Sequence, residues 1–191
     1  LIERDLNLFS NYSKRCFVVW SITTVDEKIK RVIEPGTPPS KRVFETIKKF
    51  LDSGINCCIN IDPIIPFVTD NEEQIRSIID LCHQFGVRYI SGSILRLRDD
   101  IWVRIRDILE LLGVSWSIEE YERIFGFHEA IINGNNLSAI TTYSDKVMHG
   151  LKNELSKRNI EFGFDKLIEL ISNKKSGYAI STKQCRISEF V

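Results

Sequence analysis

Polar side chains collect just past three apolar runs: Ser21, Thr23 and Thr24 after the first, Asn60 and Asp62 after the second, Ser91, Ser93 and Arg96 after the third. Hydroxyls, an amide, a carboxylate and a guanidinium bind by hydrogen bonding, so this set suits a small ligand carrying hydroxyls, an amine or a carboxylate. Two of the eight also have a local use, since Thr24 can cap a helix and Asp62 can open a proline turn.

Other chemistries lack their residues. His83, His128 and His149 lie far apart, with no His or carboxylate at metal-ligand spacing. There is no Gly-rich phosphate loop, Gly-x-Ser-x-Gly elbow or Cys-x-x-Cys pair. The five cysteines, Cys16, Cys57, Cys58, Cys82 and Cys185, are odd in number. Adjacent Cys57 and Cys58 point to opposite faces of a strand, which argues against a disulfide framework and for reduced thiols in a cytoplasmic protein. Lys plus Arg (26) balances Asp plus Glu (26), so no net field draws the chain to phosphates or anionic lipids. Lys157-Arg158 and Lys174-Lys175 read as solvated helix faces. No apolar run approaches the roughly 18 residues of a membrane helix. Leu1 stands where Met would start a natural chain, and with no signal-peptide pattern this predicts a missing amino-terminal segment.

The elements that must position the polar set are legible around it. Cys16 to Ile22, Ile55 to Ile61 and Val87 to Ile94 are continuous runs of β-formers too short for helices, as in strands buried on both faces. Asp5 to Lys14 carries a short helical stripe. Between the strands, amphipathic stripes predict helices capped by Thr24 with Glu27, by Ser40, by Asp70 with Glu73, and by Asp99 or Asp100. Pro35, Gly54, Gly86 and Gly113 close them, and the prolines of Asp62-Pro-Ile-Ile-Pro66 predict a stiff loop outside the sheet. Strand and helix alternating at this spacing mean right-handed βαβ units and a parallel sheet, in a partial βα-barrel or a doubly wound fold. Both put chemistry at the carboxyl ends of the strands. After residue 114 the pattern becomes mainly helical, with Ser117 and Glu120 as a capping box, a loop at Asn133-Gly-Asn-Asn136, helices over Tyr143 to Arg158 and Phe164 to Ser172, and weak strand character from Tyr178 to Val191. The division expected is a barrel part, 1–114, and a helical extension, 115–191.

Four strings resemble one family. Val19-Trp-Ser-Ile-Thr-Thr24, followed by Ile33-Glu-Pro35 and Pro38-Pro-Ser-Lys-Arg42, resembles the fourth strand and following segment of radical S-adenosylmethionine proteins of the spore photoproduct lyase-like group. Ile61-Asp-Pro-Ile-Ile-Pro66 with Asp70 is similar to that group's fifth strand exit, Leu95-Arg-Leu97 to the segment after its sixth, and Arg4-Asp-Leu6 with Leu8 to the stretch after its third. The likeness covers about residues 1 to 112, and Glu3 and Arg98 depart from it where Thr and Pro are common. In that family a Cys-x-x-x-Cys-x-x-Cys loop after the first strand holds a four-iron four-sulfur cluster that binds S-adenosylmethionine. No cysteine trio here has that spacing.

The resemblance implies the carboxyl-terminal part of a barrel whose complete form cleaves S-adenosylmethionine reductively to a 5′-deoxyadenosyl radical. The chain alone would then be inactive and need a cluster-bearing upstream region, in the same or another polypeptide. No residue can be named as catalytic or as a metal ligand. Cofactor binding would fall to Ser21, at the ribose or amino-acid moiety, and to Asn60, Asp62 and Ser91 on the adenosine side. A nucleic-acid substrate follows only from analogy with the lyase, and a membrane partner is not expected. The alternative is a non-enzymatic ligand-binding or interaction module on a half-barrel scaffold. If upstream strands are absent, the strand Cys16 to Ile22 leaves an open apolar edge, to be covered by another segment, by dimerisation or by aggregation.

Overall fold

In the computed structural model, which describes residues 2–127 and 136–172, the three apolar runs are the strands β1 (Phe17–Ser21), β2 (Asn56–Ile64) and β3 (Tyr89–Ile94). They pair in parallel and in sequence order, and a short β4 (Glu161–Phe162) adds to β3, also in parallel. The chain is therefore α/β, and its sheet continues past residue 114. Around it lie eight α-helices among the described residues: α1 (Leu6–Asn11), α2 (Glu27–Ile33), α3 (Ser40–Asp52), α4 (Glu72–Phe85), α5 (Asp99–Leu111), α6 (Ile118–Phe125), α7 (Thr141–Ser156) and α8 (Asp165–Ser172). The weakly strand-like stretch 178–191, together with His128, Cys185, Lys174 and Lys175, lies outside the described residues, as does most of the loop at 133–136.

One face of the sheet is packed with helices. Val18, Cys57, Ile59, Ile61 and Ile90 share a core with Phe44, Ile47 and Phe50 of α3, Ile75, Ile78, Ile79 and Cys82 of α4, and Val147, Leu151 and Leu155 of α7. Phe50 is wholly buried, with Trp20 edge-on to it at 5.8 Å between ring centroids and Phe9 of α1 at 5.6 Å. At Gly92 a Cβ would lie 3.1 Å from Leu151 Cδ2 and 3.2 Å from the Ile61 carbonyl oxygen, so the missing side chain is what lets α7 seat on β3.

A second cluster forms beyond the carboxyl ends of the strands. Ile65, Val68, Leu95 and Leu97 from the loops after β2 and β3 meet Trp102, Ile105 and Leu109 of α5 and Tyr121, Ile124 and Phe125 of α6. Tyr121 stacks on Phe125 at 5.6 Å and donates its hydroxyl to the Pro66 carbonyl at 2.9 Å.

Local chemistry corrects several expected boundaries. Asp26, not Thr24, caps α2, its Oδ1 accepting from the backbone N–H of Lys28 (2.8 Å) and Ile29 (3.2 Å). Asn71, not Asp70, caps α4 through the Gln74 N–H. Pro39 precedes α3, and Ser40 is its first residue, with its N–H taken by Glu27 Oε1 at 2.7 Å. Arg98 holds the capping position of α5 and its side chain bonds the Asp100 carboxylate, not a helix N–H, and the Ser117 hydroxyl donates to the Val114 carbonyl instead of capping α6. The stretch Ile2–Asp5 is a 3-10 turn that precedes α1, so the first helix is shorter than its stripe. The stiff loop expected at Asp62–Pro66 is partly sheet. The register shifts between Ile61 and Ile64, which accommodates Pro63 without a ladder N–H, and pairing resumes at Ile64 with Ile94. The glycine stops hold: at Gly86, for example, φ is +84°, a left-handed cap that closes α4 at little cost for this residue type.

Candidate ligand-binding rim

Alternation along the strands divides the sheet's two faces. The helix-packed face takes Val18 and Trp20, Cys57, Ile59 and Ile61, and Ile90 and Gly92. The opposite face takes Phe17, Val19 and Ser21, then Asn56, Cys58 and Asn60, then Tyr89 and Ser91. Beyond Asn56 at its amino end this second face carries Phe17, Val19, Cys58 and Tyr89, with Cys58 fully buried between Val19 and Tyr89 in register. Phe164, just beyond β4 at one edge, brings its ring to 6.1 Å from Phe17 on the opposite edge strand, so the chain leaving β4 crosses this face.

At the carboxyl end the same face turns polar. Ser21 pairs in register with Asn60, and Asn60 with Ser91. Three hydrogen-bonding side chains thus form one row across three strands, spanning about 10 Å at the usual inter-strand spacing. Ser21 is exposed and Asn60 and Ser91 are half-buried, open enough to meet a ligand. Asp62 stands next to the row and is held in place: its Oδ1 accepts from Ser93 Oγ at 2.5 Å and its Oδ2 from Asn60 Nδ2 at 3.4 Å. A carboxylate so positioned keeps lone pairs for a hydroxyl or ammonium donor.

The other polar positions have different duties. Thr24 is fully buried, accepts from the Asp26 N–H at 3.0 Å and donates to Gln74 Oε1 at 2.7 Å, which latches the loop after β1 to α4. Thr23 is buried beside it, and Arg96 is exposed beyond β3.

One pair near this end gave no sequence signal of its own. Asp70 accepts a 2.5 Å hydrogen bond from the Tyr143 hydroxyl, tying the loop after β2 to α7 across 73 residues of sequence. Burial pushes the Asp70 carboxyl above its ordinary value, partly offset by that bond, and burial with the neighbouring carboxylate pushes the Tyr143 phenol up.

Among the described residues the cysteines Cys57 and Cys58 point to opposite faces, Cys82 sits on α4 and Cys16 precedes β1. Burial raises the Cys57 thiol to about 12 and shifts Cys58 and Cys82 upward as well; Cys16, at the start of β1, is also raised by burial. All four are free thiols, and among the described residues no group of three or more His, Cys, Asp or Glu could hold a metal ion. No helix of the described residues is long and apolar enough to cross a membrane.

Comparison with known proteins adds sequence relatives. A 101-residue stretch, 51% of this chain, is 31% identical to the uncharacterized protein ORF301 of Acidianus two-tailed virus, of which it covers 34%. A 100-residue stretch is 25% identical to uncharacterized proteins of Mycobacterium bovis and Mycobacterium tuberculosis and covers 29% of each. The aligned part therefore spans about a third of the length of these relatives. No protein-family model matches the chain, and no solved structure does.

Proposed function

We propose that this chain is the carboxyl-terminal part of a radical S-adenosylmethionine barrel of the spore photoproduct lyase-like group, and that it supplies one side of the S-adenosylmethionine rim. The observation that carries this reading is the row Ser21–Asn60–Ser91, set in register at the carboxyl end of three parallel strands with Asp62 beside it. Sequential strand order, with α3, α4 and α7 packed together against one face, supports a segment of barrel wall over a doubly wound sheet, whose helices divide between two faces.

The residues present suit the adenosylmethionine ligand and not the iron–sulfur cluster. Serine hydroxyls and the Asn60 amide can bond ribose or amino-acid groups, and the Asp62 carboxylate, oriented by Ser93, can accept from a ligand hydroxyl or ammonium. Cluster ligation needs convergent thiolates, whereas Cys57, Cys58 and Cys82 are buried with raised pKa and Cys57 and Cys58 face opposite ways. On this reading the cluster and the electron it delivers come from a segment outside the described residues, and the chain alone is inactive. Reduced thiols fit a cytoplasmic setting, which we include in the proposal.

Calorimetric titration of the chain with S-adenosylmethionine tests it. Saturable binding is expected, weakened about twofold to tenfold by Ser21→Val and again by Asn60→Val, as for loss of one net hydrogen bond each. Absence of binding, or binding that both variants leave unchanged, would overturn the assignment and favour an interaction module on the same scaffold.

A further inference from the structure

We propose that Asp62 makes the rim selective for cations: its carboxylate is the contact for a positively charged centre of the ligand, an ammonium or a sulfonium, and sets a preference over neutral analogues. The inference takes its place from the rim assignment under the proposed function and adds the charge of what binds there.

The carboxylate is positioned but not neutralised. Asp62 is half-buried, and the two side chains that bond it are neutral: Ser93 Oγ donates to Oδ1 at 2.5 Å and Asn60 Nδ2 to Oδ2 at 3.4 Å. A carboxylate offers about four lone-pair sites, so roughly two stay open. Among the described residues no Lys, Arg or His forms an ion pair with it. The sequence explains why. Residues 16–27, 50–75 and 89–95, which hold the three long strands and the loops at their carboxyl ends, contain no Lys, Arg or His at all.

The other carboxylates at this end already have partners. Asp26 takes the N–H groups of Lys28 and Ile29, Glu27 takes the Ser40 N–H, and Asp70 takes the Tyr143 hydroxyl. Helices α2, α4 and α5 begin on this side, and their positive amino ends meet acids of their own: Asp26 and Glu27, Glu72 and Glu73, Asp99 and Asp100. Asp62 therefore keeps its charge beside Ser21, Asn60 and Ser91, none of which can neutralise it. Hydroxyls and an amide accept many polar groups, whereas a fixed, half-buried carboxylate discriminates by charge, because its field is less screened than at an open surface. A cation seated there gains that field. A neutral isostere strips water from the carboxylate without return, and an anion is repelled.

Backbone amide shifts of Asn60, Asp62 and Ser93 test this while the full chain is titrated with methylammonium, with trimethylsulfonium and, for comparison, with neutral tert-butanol. Saturable movement is expected with the cations, weakening as sodium chloride is raised, and none with the alcohol. Asp62→Asn keeps the shape and removes the charge, so it should weaken cation binding roughly fivefold to tenfold. Should that variant fail to fold, the salt dependence of the wild-type chain carries the test. S-adenosylmethionine and S-adenosylhomocysteine differ by a methyl group and the sulfonium charge, and show which cation is read. A preference for the first that Asp62→Asn abolishes marks the sulfonium; equal weakening of both marks the ammonium. Equal response to cations and alcohol, or cation binding indifferent to salt or to Asp62→Asn, would overturn the proposal. Cation binding at Asp62 without any binding of S-adenosylmethionine would overturn the ligand assignment and leave this proposal standing. Binding of S-adenosylmethionine with no response to charge would do the reverse.

Discussion

The two faces of the sheet are built from the same three strands, yet only one is uniform. Against α3, α4 and α7 every level is apolar, from Val18 and Cys57 up to Ile61, and Phe44, Ile47, Phe50, Ile59, Ile78, Ile79 and Ile90 are fully buried. Across the sheet the composition changes along the strands, from Phe17, Val19, Cys58 and Tyr89, with Asn56 as the polar exception at the amino end, to Ser21, Asn60 and Ser91 at the other. A period of two lets one strand serve both purposes: one set of alternate residues is spent on stability, and the other is free to grade from floor to rim.

Truncating the uniform face should cost most. Phe50→Ala removes a wholly buried ring that touches Phe9 and Trp20, and a loss of about 3–5 kcal/mol is expected in urea unfolding. Gly92→Ala probes the same face by overfilling it. The added Cβ must displace Leu151 or press on the Ile61 carbonyl, for about 1–3 kcal/mol, with the polar row left in place. If Gly92→Ala is neutral, α7 is not seated as described.

A smaller, pH-dependent effect is expected where the rim loop meets α7. Because burial raises the Asp70 carboxyl in the folded protein, the folded state holds that proton more tightly than the unfolded chain does. Its contribution to stability is present below the ordinary carboxyl range and is lost as pH rises through the raised folded value. Tyr143→Phe deletes the hydrogen bond that favours the ionised form, so it should raise that value further and destabilise by about 1–3 kcal/mol above it. The variant should approach wild-type stability in acid. Equal losses in acid and at neutral pH would sink the assignment of the Asp70–Tyr143 bond.

The sequence made the graded face readable because its elements are declared locally. Each long strand is a run of β-formers bounded by turns, and the positions of Ser21, Asn60 and Ser91 follow from where those runs end. Helix stops at Gly54, Gly86 and Gly113 were equally plain, since each needs a positive φ. Helix starts were less so: Thr24, Asp26, Asp70 and Asn71 are all competent caps within a few residues, and the side chain that wins depends on tertiary partners such as Gln74 for Thr24 and Tyr143 for Asp70. The strand β4 could not be read at all. Two residues, Glu161 and Phe162, have no periodicity, and their extended pairing is imposed by β3. The Ser93 hydroxyl was visible as one more polar residue past a strand, but its role in orienting Asp62 required the register shift between Ile61 and Ile64.

The claim at the centre of this account is that ligand chemistry belongs to the carboxyl end of the graded face. Backbone amide shifts recorded while the chain is titrated with S-adenosylmethionine address it directly. The expected result is saturable movement at Ser21, Asn60, Asp62, Ser91 and Ser93, with little change at Ile75, Ile78 and Val147 on the helices behind the sheet. Movement confined to those helices, or no saturable movement anywhere, would contradict it.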